Sequence, residues 1–380
     1  MRPMDDHLGT ARRIHRSLPV FDGHNDLPWA IRLGAEGSLE TADLRGPLPD
    51  YQTDVPRLLE GGVGAQFWSV FVPAYSATPL RTTIEQIDLV HRMVARCAPS
   101  LELARTAADV ERIRTEGHVA CLLGVEGGHS MEGSLGTLRV FARLGVRYMT
   151  LTHASNTEWA DSATDDAQHG GLTAFGTDVV RAMNDIGMLV DLSHVSVDTM
   201  WDALAVSAAP VIASHSGAYA LAAHPRNVPD DVLSAIAENG GVVMVNFYSG
   251  FVIESSAKKV RSMFAEAMRL QEELGDDRAV EAAMAEREAA DPIERGTVSD
   301  VVDHIEHIAE ICGIDHVGIG SDFDGANVLP EGLQDVSCYP AITAELLRRG
   351  WQEADIRKVL GDNALRVLAA AEQVAAAASS

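Results

Sequence analysis

The sequence predicts an α/β protein: a closed (β/α)8 TIM barrel with a helical insertion between its seventh and eighth strands. Three observations carry this. Eight apolar segments run along the 380 residues, and most are followed by a stretch with helical spacing. The segments are nearly continuous in apolar residues, as in parallel strands covered by helices on both faces. The first is followed by His24, Asn25 and Asp26, where a doubly wound open sheet would usually carry a Gly-rich phosphate fingerprint. Eight such units favour closure into a barrel.

The first segment spans residues 18–26 and ends on His24 and Asp26. Two residues apart on a strand, these side chains point to one face and can converge. A long connection follows, with Pro47 and Pro49 in a loop and a short helix near residues 55–60. The second segment, 63–72, opens after Gly61 and Gly62 and closes at Pro73. Residues 80–97 read as an amphipathic helix on Ile84, Ile87, Val90, Val94 and Cys97, with a shorter one at 109–116.

The third segment is 118–126. The fourth is 146–153, after a helix at 135–144, and the fifth is 187–194, after a helix at 175–186. Ser196 is placed to cap a helix at 197–207. The sixth segment is 210–215, and Pro229 with Asp230 and Asp231 starts another helix. The seventh is 241–247 and the eighth 315–322. Between them lies a charged, Ala-, Glu- and Met-rich excursion at 255–295, which reads as two extra helices, then a helix at 298–312. No linker divides the chain, so residues 1–380 are expected to form one barrel domain, and the Ala-rich tail at 369–380 extends or frays the last helix.

Composition narrows the function. Lys and Arg total 30 against 55 Asp and Glu, a formal charge of −25, which repels nucleic acid and anionic membrane. A hydrophobic content of 46% is enough for a large core, yet no run of about 18 apolar residues spans a membrane. Residues 1–17 are charged and lack a signal-peptide core. Cys97, Cys121, Cys312 and Cys338 are scattered without C-x-x-C spacing. They read as buried thiols in a reducing compartment, and a cytoplasmic location is the expectation.

In a barrel the carboxyl ends of the strands surround one pocket. Here they carry His24 and Asp26, Glu126, His153, His194, His215 and Asp322. Four histidines from four strands therefore meet at one rim. Glu126 ends a wholly apolar segment, where a carboxylate needs a metal or an ion pair. His304 and His307 precede a strand, at the wrong end for the site, and read as surface or packing residues; His129, His169, His224 and His316 get the same reading. Asp324 reads as a turn former. The donors exceed what one four-coordinate zinc with an open position needs. Two ions sharing Glu126 as a bridge, with a hydroxide or water between them, fit better.

The motifs resemble those of the renal (membrane) dipeptidase family, a branch of the metal-dependent amidohydrolase-like barrels. They are Asp22 through Trp29 (DGHNDLPW), Gly124 through His129 (GVEGGH), and Tyr148 through His153 (YMTLTH), continuing to Asn156 and Trp159 through Asp161 (WAD). Asp191 through Ser196 (DLSHVS), Ser214 through Ser216 (SHS), Arg226 through Asp231 (RNVPDD), Met244 through Tyr248 (MVNFY) and Gly320 through Gly325 (GSDFDG) follow in family order. The resemblance implies two zinc ions: His24 and Asp26 hold the first, His194 and His215 the second, and Glu126 bridges. It also implies that His153 stabilises the oxyanion at the scissile carbonyl, Arg226 pairs with the substrate's terminal carboxylate, and Asp322 moves the proton from water to leaving amine.

The implied reaction is hydrolysis of dipeptides, including those with a D-residue on the carboxyl side. The alternative is a related enzyme acting on another C–N bond, in a cyclic amide or an N-acyl amino acid. A ligand-binding barrel without catalysis is a third reading. Pocket shape is expected from residues 155–172 and 248–295. The secretion signal and lipid-anchor tail of the membrane enzymes have no counterpart here, so a soluble microbial-type relative is expected, and a homodimer on the family pattern.

Overall fold

Residues 3–378 are described in a computed structural model. Among them, nine strands form a single parallel sheet: β1 Val20–Asn25, β2 Val63–Phe71, β3 Leu101–Leu103, β4 Val119–Glu126, β5 Val146–Thr150, β6 Leu189–Asp191, β7 Ile212–Ser216, β8 Val242–Val245 and β9 Val317–Ile319. Eight of them run in the order β2-β1-β9-β8-β7-β6-β5-β4, and β4 returns to β2 from Ala65↔Ala120 to Phe71↔Glu126, which closes the barrel. The expected (β/α)8 architecture is therefore present. The additional strand, β3, pairs with the start of β4 from Leu101↔Val119 to Leu103↔Cys121, ahead of β5. At three residues it is too short to carry a pattern.

Strand alternation sorts side chains into two cores. Phe21, Ala65, Phe67, Ala120, Leu122 and Tyr148 fill the barrel interior, while Val20, Trp68, Val70, Cys121, Leu123 and Val125 pack against the surrounding helices. The Asn363–Ala378 helix plugs the end where the strands begin: Ala364, Val367 and Leu368 join the interior cluster, and Asn363 donates to the carbonyls of Ile314 and Val317 at 2.8 Å each. The Ala-rich tail thus continues this helix to Ala378, and its last two positions lie outside the described residues. Chemistry is left to the opposite end.

Two glycines of the motifs are required by close approach inside the barrel. A Cβ on Gly124 would lie 2.0 Å from the Tyr148 ring, and one on Gly320 would lie 1.9 Å from the Ser214 carbonyl. The predicted strand ends at His153, His194 and Asp322 need correction: the strands stop at Thr150, Asp191 and Ile319, three residues earlier in each case. The reason is conformational for two of them, since His194 (φ 68°) and Asp322 (φ 65°) are left-handed, a region no strand uses. The N-terminal residues, read only as charged, form the Pro3–Ser17 helix; its His15 donates from Nδ1 to Gly61 O at 2.9 Å and meets Thr343 Oγ1 through Nε2 at 2.8 Å. The insertion is confirmed as helices Glu254–Leu274 and Asp277–Ala290. No helix among the described residues is long and apolar enough to cross a membrane.

Candidate active site

The strand ends hand their side chains to one cavity of about 570 Å³, lined among others by Asp26, Glu126, His153, His194, His215, Arg226 and Asp322. Glu126, the last residue of β4, stands at its centre. Its Oε2 faces His24 Nε2 at 3.4 Å, and its Oε1 faces Nε2 of His194 at 3.0 Å, of His215 at 3.4 Å and of His153 at 3.7 Å. His24 Nε2 also lies 3.2 Å from Asp26 Oδ2. One carboxylate thus presents a different oxygen to each of two histidine groups.

Each ring is aimed by its neighbours. His24 Nδ1 is engaged by the Tyr148 hydroxyl at 2.7 Å, leaving Nε2 toward the cavity. His215 Nδ1 meets Ser214 Oγ at 2.8 Å, and Ser214 Oγ donates to Asp191 Oδ2 at 2.7 Å. Asp191 also accepts from Thr150 Oγ1 at 2.7 Å and from the Ser214 and Ser193 amides, so one buried carboxylate ties β5, β6 and β7 together behind the histidines. Left-handed His194 is held through its carbonyl, which accepts from Ala163 N at 2.7 Å and Thr152 Oγ1 at 3.1 Å. Such a backbone costs about 1–3 kcal/mol and persists where surrounding bonds over-determine it. Asn25 Oδ1 accepts from Leu27 N at 2.9 Å, while Asp26, the residue before the following helix, makes no side-chain cap bond and lines the cavity.

The electrostatics call for cations. Burial drives His194 and His215 well below the usual imidazole range and His153 down to about 4, so these rings are neutral at neutral pH. Burial also opposes charge on His24 and on Glu126, yet each holds the other ionised: Tyr148, Glu126 and Asp26 raise His24, and His24 with His194 and His215 lowers Glu126. Burial, reinforced by Asp26, lifts Asp322 well above the carboxylate range. Among the described residues, buried His24 Nε2 and Asp26 Oδ1 have no hydrogen-bond partner. Neutral imidazoles, clustered carboxylates and orphaned ligand atoms are the donor set of a divalent metal site.

One ligand atom each from His24, Glu126 and His215 falls within 4.8 Å of the others; the same holds for Glu126, His153 and His194, and for His24, Asp26 and Asp322. All seven predicted rim residues are therefore brought together. Glu102, Glu116 and His118 form a separate partly exposed group, but Arg112 pairs with both glutamates there.

A profile of the membrane dipeptidase family (peptidase family M19) matches residues 8–380. The chain belongs to that family. It is 39% identical over 387 residues to the dipeptidase verJ of Clonostachys rogersoniana, an alignment covering 98% of this chain and 89% of that one. Among solved structures, the probable dipeptidase PvdM from Pseudomonas aeruginosa superimposes with a TM-score of 0.83 at 25% identity, over 97% of this chain and 99% of that one. A metallo peptidase from Rhodobacter sphaeroides, liganded with a phosphinate mimic of the dipeptide L-Ala-D-Ala, gives 0.76 at 25% identity, over 93% and 99%.

Set in this peptidase family, the remaining polar groups of the cavity stand out. Arg226 is buried, its Nη2 donating to His215 O at 3.2 Å while Nε and Nη1 have no hydrogen-bond partner among the described residues. Its guanidinium sits 5.2 Å over the Phe251 ring. Asn246 Nδ2 donates to Asp322 Oδ2 at 2.9 Å. A Cβ at Gly325 would lie 2.2 Å from Asp26 Oδ2 and 2.6 Å from Asp322 Oδ1, so glycine keeps the space before both carboxylates open.

Sequence reasoning missed part of the wall. Trp29 and Leu33 line the cavity from the helix Leu27–Ala35, within what the sequence reads only as a long connection; the spacing of Leu27, Ile31 and Ala35 was the available signal. Phe71, at the end of β2, lies 5.0 Å from the Trp29 ring and 4.7 Å from the His153 ring. Residues 248–295 contribute to the wall as expected. The companion expectation for residues 155–172 is corrected: that stretch is wound around Asp161, whose carboxylate accepts from the amides of Gln168, His169, Gly170 and Gly171, and no residue of it is among those lining the cavity. His304 is a packing residue, receiving the Ala218 amide at 2.9 Å, and His307 pairs with Asp230 at 2.8 Å.

Proposed function

We propose that this metallo-dipeptidase is binuclear, takes zinc, and hydrolyses the single peptide bond of dipeptides, including those with a D-residue on the carboxyl side. The observation that carries the reading is Glu126, whose two oxygens face His24 on one side and His194 with His215 on the other. In it His24 and Asp26 hold one ion, His194 and His215 the other, and Glu126 both. Two divalent ions so held supply an acidified water and a Lewis acid for the scissile carbonyl.

The chain's own residues do the rest. Arg226 pairs with the substrate carboxylate through its two unpartnered nitrogens, a geometry suited to a planar guanidinium. That places the peptide bond between Arg226 and the histidines. His153, neutral and packed against Phe71, donates a hydrogen bond to the oxygen where negative charge develops. Asp322 takes a proton from the attacking water and delivers it to the leaving amine; Asn246 occupies its Oδ2, so Oδ1 carries the proton. Four unpaired cysteines, three of them buried, suit the reducing cytoplasm we propose as its compartment.

The test is turnover of paired L-L and L-D dipeptides beside N-acyl amino acids and cyclic amides. Dipeptide cleavage that is lost on chelation and restored by zinc supports the reading. Turnover confined to the other amides sinks it.

A further inference from the structure

The cavity has a roof that the hydrolytic groups do not require. It comes from the insertion: Ala267 on the Glu254–Leu274 helix, and Val280, Met284 and Ala285 on the Asp277–Ala290 helix, line the cavity. Val280, Met284 and Glu288 are spaced by four, so they share one face of the second helix. The first two present apolar surface to the cavity. Glu288, at the end of that face, accepts a hydrogen bond from Asn327 Nδ2 at 2.5 Å. Asn327 also lines the cavity and lies five residues beyond Asp322 on the same connection. Arg287 meets Glu266 at 2.8 Å and joins the two roof helices to each other.

The roof can be placed relative to the substrate. From the Arg226 guanidinium it is 5.2 Å to the Phe251 ring, and from that ring 4.9 Å to Tyr248. Ser249, next to Tyr248, donates its amide to Val328 O at 3.0 Å, and Val328 follows Asn327, which holds Glu288. The roof therefore stands beside the carboxylate-binding end. Trp29, Phe71 and His153, packed ring against ring, form a separate stretch of the cavity wall.

We propose that Val280 and Met284 are the specificity-determining residues for the side chain on the carboxyl side of the scissile bond, that they select apolar side chains, and that the Glu288–Asn327 bond fixes the height of the roof. A charged side chain placed there loses its water against Val280 and Met284 and gains no partner, whereas an apolar one is drawn out of water. The inference rests on the dipeptidase reading and names its substrate class.

The experiment compares kcat and KM of the full-length enzyme for Ala-Leu, Ala-Lys and Ala-Glu, with Leu-Ala and Lys-Ala as amino-side controls. The wild type is expected to favour Ala-Leu over both charged substrates, through KM. Met284→Glu should move the Ala-Lys to Ala-Leu ratio of kcat/KM by roughly tenfold or more toward lysine, with kcat for Ala-Leu little changed and the amino-side controls unaffected. Val280→Ser is the second variant, expected to raise KM for Ala-Leu several-fold. Asn327→Ala should flatten discrimination across the carboxyl-side series. Unaltered discrimination in folded Met284→Glu and Val280→Ser, judged by thermal melting, overturns the inference while the dipeptidase reading stands. A response confined to the amino-side controls overturns it equally. A wild type that cleaves none of the five, nor their counterparts with a D-residue on the carboxyl side, overturns both.

Discussion

Replacing Arg226 with methionine separates substrate recognition from folding. Arg226 is 1% exposed, and burial lowers its pKa only to about 10, so it stays charged at neutral pH. One of its three nitrogens donates to His215 O at 3.2 Å; the other two have no hydrogen-bond partner among the described residues. Removing one member of a buried, hydrogen-bonded charge pair costs about 2–5 kcal/mol, which corresponds to roughly 30- to 4,000-fold in kcat/KM. The assay is kcat/KM for a dipeptide and for its carboxyl-terminal amide, in wild type and variant. The wild type should strongly prefer the free acid. Arg226→Met should lose about two to three orders of magnitude on the acid and little on the amide, bringing the ratio near one. Without substrate, a buried cation with two idle nitrogens adds little to stability, and the unbranched methionine packs adaptably. The melting temperature should therefore hold or rise. A variant that still prefers the acid as the wild type does, or that loses both substrates together with several degrees of stability, refutes the reasoning.

Other outcomes follow from the same geometry. Asp322→Asn should lower kcat by about 10²–10⁴ with metal content unchanged, as read by elemental analysis beside steady-state kinetics. Ser214→Ala breaks the link from Asp191 to His215 Nδ1; competition with a chelating dye should show metal affinity down by about 10–100-fold, with the melting curve little moved. His15, far from the site, is held by burial at about 4 against 6.5 unfolded. Below pH 6.5 the unfolded chain binds a proton the folded one refuses, so this stability is complete above 6.5 and lost as pH falls toward 4, by up to about 3 kcal/mol. In denaturant titrations between pH 7 and 4.5, His15→Asn should therefore lose less stability than the wild type.

The barrel was legible because its strands are buried on both faces and so nearly continuous in apolar residues. Glu126 stood out for the same reason: a carboxylate closing the wholly apolar β4 is conspicuous. The ends of β5, β6 and β9 were not legible. Leu151 and Leu192 continue the apolar pattern past the last residues of β5 and β6, and beyond β9 the backbone still bonds its neighbours through Phe247 N to Ser321 O and Asp322 N to His24 O; nothing local announces that His194 and Asp322 are left-handed, which depends on bonds from residues distant in sequence. The Leu27–Ala35 helix was harder to see because Asp26, at its start, makes no side-chain cap bond, Leu27 N being bonded by Asn25 Oδ1 instead. Several motif carboxylates are scaffolding: Asp161 winds a loop, and Asp22 joins β1 to Ser321, Gln66 and Tyr339. Residue type alone does not distinguish these from Asp322. What does is the cavity, into which Asp322 faces and they do not.

The central claim is that Glu126 serves two metal ions at once, and metal content per chain tests it most directly. Protein dialysed against zinc and then freed of excess should hold two ions per chain, falling to one or none in Glu126→Ala. A wild type that saturates at one ion, or a Glu126→Ala variant that keeps two, would contradict the account.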